Sequence, residues 1–130
     1  MSTTRKRFEE DQNELIGLLR RVQDAKEIGL DDALRAFSEF RTKLERLILC
    51  EENILFPQFD ETNGLLKEGP TAVMRVEHRQ IRLLLNEIGE KLLKGDMKTD
   101  AEQVVLLEVL HAHQQQERIV VYPMIDQLPG

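Results

Sequence analysis

Residues 44–61 read LERLILCEENILFPQFDE: apolar positions at helical spacing lead into two adjacent acids, Glu51 and Glu52, and the apolar run after them is closed by Pro57. Residues 110–127, LHAHQQQERIVVYPMIDQ, repeat the plan of acid, apolar run, aromatic and proline, and add two histidines. One offset aligns the copies, because Glu117, Tyr122, Pro123 and Asp126 each lie 66 positions after Glu51, Phe56, Pro57 and Asp60. A repeat of that length holds about two helices, so the chain reads as two related helical hairpins.

The flanking sequence agrees. Phe8, Leu15, Leu18, Leu19 and Val22 have helical spacing in a first segment that ends near Gly29. Asp31 or Asp32 is placed to cap a second helix carrying Leu34, Phe37, Phe40, Leu44, Leu47, Ile48 and Ile54, with Pro57 at or just before its end. The stretch DETNGLLKEGP, residues 60–70, is the one long connection. A third helix opens at Thr71, runs through Val73, Met74, Ile81, Leu84, Leu85 and Ile88, and stops at Gly95 and Asp96. Thr99 and Glu102 have capping-box spacing at the start of a fourth, which continues through Val105, Leu106, Val109 and Leu110 toward Pro123. No stretch alternates as a strand does. The expected fold is all-α: an antiparallel up-down-up-down four-helix bundle with pseudo-twofold symmetry, a single domain over residues 1–130.

Composition removes several function classes. The 18 basic residues are scattered among 24 acidic ones for a net charge of −6, which argues against binding nucleic acid by phosphate neutralisation. The opening MSTTRKRFEEDQNELIGLL lacks the apolar block of a secretory signal, and no later stretch is apolar enough to cross a bilayer, so a soluble, cytoplasmic protein without a membrane partner is expected. A single cysteine, Cys50, excludes an intrachain disulfide.

The helical stripes carry polar residues at core positions. His113 and Glu117 share one face with Leu110, Val120 and Met124; His78 lies in the stripe Met74, His78, Ile81, Leu85. Glu51 lies in the stripe Leu47, Glu51, Ile54, Gln58, which sends it inward while Glu52 can turn toward solvent. His111, two positions from His113, is turned away from the core. Burying two carboxylates in an apolar core costs several kcal/mol unless something neutralises them. A single buried histidine is more often a core residue paired with an acid, but two imidazoles converging with two carboxylates are what a divalent transition metal takes.

The stretches EENILFP, GPTAVMRVEHRQIRLLL and HAHQQQERIVVYPMID resemble the hemerythrin-like, or HHE cation-binding, domain family over nearly the whole chain. That resemblance implies a four-helix bundle around a pair of irons, with a histidine from helix one, His-x-x-x-Glu from helix two, one or two histidines from helix three and His-x-x-x-Glu from helix four. It assigns Glu51, His78, His113 and Glu117 as metal ligands. Two family histidines are missing: Leu47 stands four residues before Glu51, and Gln12 stands at the helix-one position. Met74 occupies the place where some members carry a further histidine. Both losses fall on the same metal, so the resemblance implies one ion per chain, iron first, with zinc or manganese also suited to two histidines and two carboxylates. Gln12 and Cys50 are weaker ligand candidates, the first through its amide oxygen and the second as a thiol beside Glu51; packing is the commoner role for such a cysteine. Tyr122 reads as packing, with a hydroxyl able to donate to a bound anion.

Three functions stand as expectations. The first is a non-haem metal domain that binds or senses dioxygen, nitric oxide or redox state. The second is a mononuclear-iron oxidative or peroxidase-like enzyme, ranked lower because no substrate pocket is legible. The third is a metal-free bundle serving as an interaction or dimerisation module. A homodimer is compatible with all three.

Overall fold

The computed structural model describes residues 3–63, 70–121 and 123. Its elements are α1 (Thr3–Ile28), α2 (Leu30–Cys50), a first π-helical turn (Glu51–Leu55), α3 (Phe56–Asn63), α4 (Pro70–Leu93), α5 (Asp100–Gln116) and a second π-helical turn (Glu117–Val121). The chain is all-α, and its rods pack antiparallel as a four-helix bundle. One rod is composite, because α2 runs without a break through the π-turn into α3.

Each rod buries a narrow stripe. Gln12, Leu15, Leu19, Val22 and Ala25 face inward on α1, and Ala33, Phe37, Phe40, Leu44, Leu47 and Ile48 on α2. Met74, His78, Ile81, Leu85, Ile88 and Leu92 do so on α4, and Gln103, Leu106, Leu110 and His113 on α5. Apart from the adjacent pair Leu47 and Ile48, the steps are of three or four residues, an average of about 3.5, which keeps one seam turned to the neighbours along the rod. The hydrophobic residues of these stripes form one continuous core.

Several local expectations are corrected. Neither Asp31 nor Asp32 caps α2: Gly29 is the capping residue with extended backbone and makes no side-chain bond, and the two acids lie in the first turn. There their charge complements the helix dipole without capping it. Thr99 caps α5 by position, but the capping box does not form, because Lys26 Nζ donates to Thr99 Oγ1 at 3.0 Å and Glu102 is taken by Lys91. Val73 and Val105 are exposed rather than core.

The composite rod carries the main correction. The helix does not end near Pro57; the π-turn widens it by one residue, Phe56 N–H reaches back five positions to Glu51 O, and Pro57 falls in the first turn of α3. A missing N–H costs little there. The extra residue also rotates the remainder of the rod. Ile54 is 57 % exposed and Gln58 is exposed, while Leu55, Phe56, Phe59 and Asp60 turn into the bundle. Asp60 accepts from Thr71 and from Arg75 Nη2 at 3.2 Å, and the Arg75 guanidinium lies 5.3 Å from the Phe56 ring centroid, which fastens α3 to the start of α4.

Phe8 and Val120 belong to described elements, but their side chains, like Tyr122, Met124 and Asp126 as a whole, lie outside the described residues. Among the described residues no helix is long and apolar enough to cross a membrane.

Candidate metal centre

The seams bring four polar side chains to one level of the bundle. Glu51 opens the first π-turn, Glu117 opens the second, and His78 and His113 project from α4 and α5; all four are buried. Both carboxylates thus stand where a helix widens by one residue, 66 positions apart. Such turns recur at functional sites because they re-aim a side chain without breaking the rod. Ligand atoms of Glu51, His78 and His113 all lie within 4.8 Å of one another. His78 Nε2 is 3.2 Å from His113 Nε2, and Glu51 Oε2 is 3.0 Å from His113 Nε2 and 3.6 Å from His78 Nε2. Glu117 Oε1 lies 2.8 Å from His113 Nε2, beside that three-residue group rather than within it.

The far sides of both imidazoles are occupied. His78 Nδ1 lies 2.8 Å from Glu52 Oε2, and His113 Nδ1 lies 3.1 Å from Glu77 Oε1. A carboxylate only accepts, so each Nδ1 carries the proton and donates. Both Nε2 atoms then turn lone pairs toward each other and toward the Glu51 oxygen. That arrangement is repulsive unless a cation, a proton or a metal, sits among them. Phe56 stacks on His78 with 5.4 Å between ring centroids and 15° between planes, holding the ring from the apolar side.

The electrostatics show how the pocket copes with protons alone. Burial by itself would raise the Glu51 carboxyl, but hydrogen bonds and charge from His113 and His78 bring it down to about 2. Burial also opposes charge on His113, yet hydrogen bonds with Glu117, Glu51 and Glu77 push it up to about 12. Glu117 goes the other way: burial, then the charge of Glu51, raise it to about 8 against the pull of His113. In the metal-free pocket the Glu51 carboxylate and the His113 imidazolium favour each other, and Glu117, buried beside that carboxylate, is pushed toward its protonated form.

A metal ion suits these residues. Ligands about 2.1 Å from one centre, about 90–110° apart, lie about 3.0–3.4 Å from each other, close to the separations of Glu51, His78 and His113. Two buried oxygens beside them have no partner among the described residues, Glu117 Oε2 and Gln12 Oε1. A cavity of about 10 Å³ lies among Gln12, Leu47, Glu51, His78, His113 and Glu117. That is room for about one water-sized group.

The remaining candidates separate cleanly. Gln12 is buried and donates from Nε2 to Glu117 Oε1 at 3.2 Å. Leu47 is part of the hydrophobic core. Cys50 is half-buried against that core, outside the cluster of Glu51, His78 and His113, and its thiol is pushed up by burial and then by the charges of Glu51 and Asp11. His111 is exposed. Sequence reasoning missed Glu52 and Glu77. Glu52, part-exposed, reaches across to His78 on α4; Glu77 adjoins His78 in sequence but serves the histidine of the next rod. The only available signal was an acid directly beside an inward ligand.

No curated protein and no solved structure matches the chain. The model of the Hemerythrin HHE cation binding domain family matches residues 5–125, nearly the full length and all four elements that meet at the buried cluster. The chain belongs to the hemerythrin family of HHE cation-binding domains.

Proposed function

We propose that this protein binds one metal ion, iron before zinc or manganese, through Glu51, His78, His113 and Glu117, and serves in binding or sensing dioxygen, nitric oxide or redox state. The observation that carries this reading is the convergence of two imidazole Nε2 atoms and a carboxylate oxygen, all buried, with both Nδ1 positions committed elsewhere. Two neutral imidazoles and two carboxylates form a mixed donor set that suits iron, manganese and zinc, and the family favours iron. A bound iron would supply a Lewis-acidic, redox-active centre.

The chain's own residues supply the rest. Gln12 holds Glu117 by one oxygen, and Leu15, Leu44, Leu47 and Ile48 line the side where the family has further histidines, so that half of the pocket offers no nitrogen. The cavity among these residues is about 10 Å³ and lined mostly by apolar side chains and the four candidate ligands, with no space for an organic substrate beside them. Metal analysis of protein purified from iron-supplemented cells should return close to one ion per chain, and His113→Ala should lose most of it. Stoichiometric metal in His113→Ala, or none in the unmodified protein, overturns the reading.

A further inference from the structure

Each of the two acids that the metal reading leaves unused closes the back of one imidazole. Glu52, its side chain 24 % exposed, reaches from the first π-turn to His78 on α4; Glu77, 15 % exposed, reaches from α4 to His113 on α5. Arg82 Nη2 stands 3.5 Å from the other oxygen of Glu52 and steadies it. Each acid is also the chain neighbour of an inward residue, Glu52 of Glu51 and Glu77 of His78. One stretch of backbone therefore places a ligand on the inner face and a support for the histidine of another segment beside it. Surface acids stapling helices together would not need both of their partners to be the two buried histidines.

We infer that Glu52 and Glu77 are positioning residues of the metal site, which hold His78 and His113 with Nε2 aimed inward and tilt the pocket toward the more highly charged state of its ion. The inference rests on the metal reading above. Glu51 and Glu117 as carboxylates already balance a divalent ion. Glu52 and Glu77 add two further negative charges one imidazole ring away, and Arg82 offsets only one of them. A trivalent ion takes up that surplus and a divalent ion does not, so bound iron should be held preferentially in the ferric state. The hydrogen bonds add to this, since a carboxylate accepting from Nδ1 makes the opposite nitrogen a stronger donor to metal.

The test uses the full chain with Zn(II) and iron as probes. Glu77→Gln and Glu52→Gln keep an oxygen acceptor and remove the charge, while Glu77→Leu and Glu52→Leu remove both. Competition against a chromophoric chelator should show Zn(II) affinity about 10–100-fold weaker in the leucine variants and less affected in the glutamine variants. The reduction potential of the iron-loaded glutamine variants should move upward, a change that a purely structural contact would not produce. Nitrogen NMR of the Zn(II) form should show the proton of both imidazoles on Nδ1. Unchanged zinc affinity in folded leucine variants, or an unchanged potential in the glutamine variants, sinks the positioning role; if the leucine variants do not fold, the glutamine potentials decide. An unmodified chain that takes up neither zinc nor iron overturns the metal reading itself, which is a different result from intact binding that ignores Glu52 and Glu77.

Discussion

Glu117 is fully buried, receives one hydrogen bond from Gln12, and has its ordinary value of 4.5 raised to about 8 first by burial and then by the charge of Glu51. Between those values the folded chain keeps a proton that the unfolded chain has released, so stability falls as pH rises across that window. His113, raised from 6.5 to about 12, contributes stability that is complete below 6.5 and is lost as pH climbs toward 12. Glu51, lowered from 4.5 to about 2, contributes stability that is complete above 4.5 and is lost as pH falls toward 2. For these three groups the signs combine to a maximum near pH 4.5 in the metal-free protein. Urea denaturation in the presence of a chelator should show that maximum and a decline through neutral pH. Glu117→Gln should flatten the decline between 4.5 and 8, and saturating metal should raise stability more at neutral than at acid pH, because it must displace the protons held by Glu117 and His113. A metal-free protein that gains stability steadily from about pH 5 to 8 would contradict the buried-acid account.

At the scale of elements, the helices are set by local periodicity and their ends by individual residues. Gly95 ends α4 at φ +83, with Gly95 N–H donating to Leu92 O at 3.0 Å and Asp96 N–H to Lys91 O at 2.8 Å. Only glycine takes that left-handed conformation without steric cost. Gly95→Ala should destabilise the protein by about 1–2 kcal/mol. Gly29 provides the contrast, because its backbone is extended and an added Cβ meets nothing within 4 Å; Gly29→Ala carries no backbone strain and should cost less than Gly95→Ala, at most about 1 kcal/mol from the poorer N-cap. The paired melting curves distinguish the two cases directly. The π-turns are a different kind of feature. In EENIL and ERIVV nothing local demands a wider turn. In the first, the burial of Leu55, Phe56 and Phe59 accompanies the extra residue, and Ile54 is the residue left outside.

Across the whole molecule, the two hairpins are related by the 66-residue repeat but have diverged at the centre. Asp11 is the counterpart of Glu77 at that offset, yet it pairs with Lys43 Nζ at 3.1 Å where Glu77 supports a histidine. The first half has Leu47 and Gln12 in place of His113 and His78, and a lysine on the acid that could have backed a ligand. Gln12→His combined with Leu47→His should therefore raise metal content from about one ion per chain toward two. Metal analysis with each single variant alongside checks this, and adding Lys43→Ala to free Asp11 should strengthen the second site.

The sequence by itself determined the helices, the relation between the two hairpins and the inward direction of Glu51, His78 and His113, because each arises from spacing within one regular helix. It also placed Leu47 in the core and His111 outside it for the same reason. Beyond Glu51 regular spacing misleads: it turns Ile54 and Gln58 inward, and both are exposed, since a single widened turn shifts every later residue and leaves no mark on local spacing. The partners Glu52 and Glu77 were equally hidden. Each acts across to a different rod, and which atoms meet between rods depends on the rotation and height at which they pack. Only the tertiary structure decides that, because the energy that sets it is the burial of the whole seam rather than the preference of any one residue.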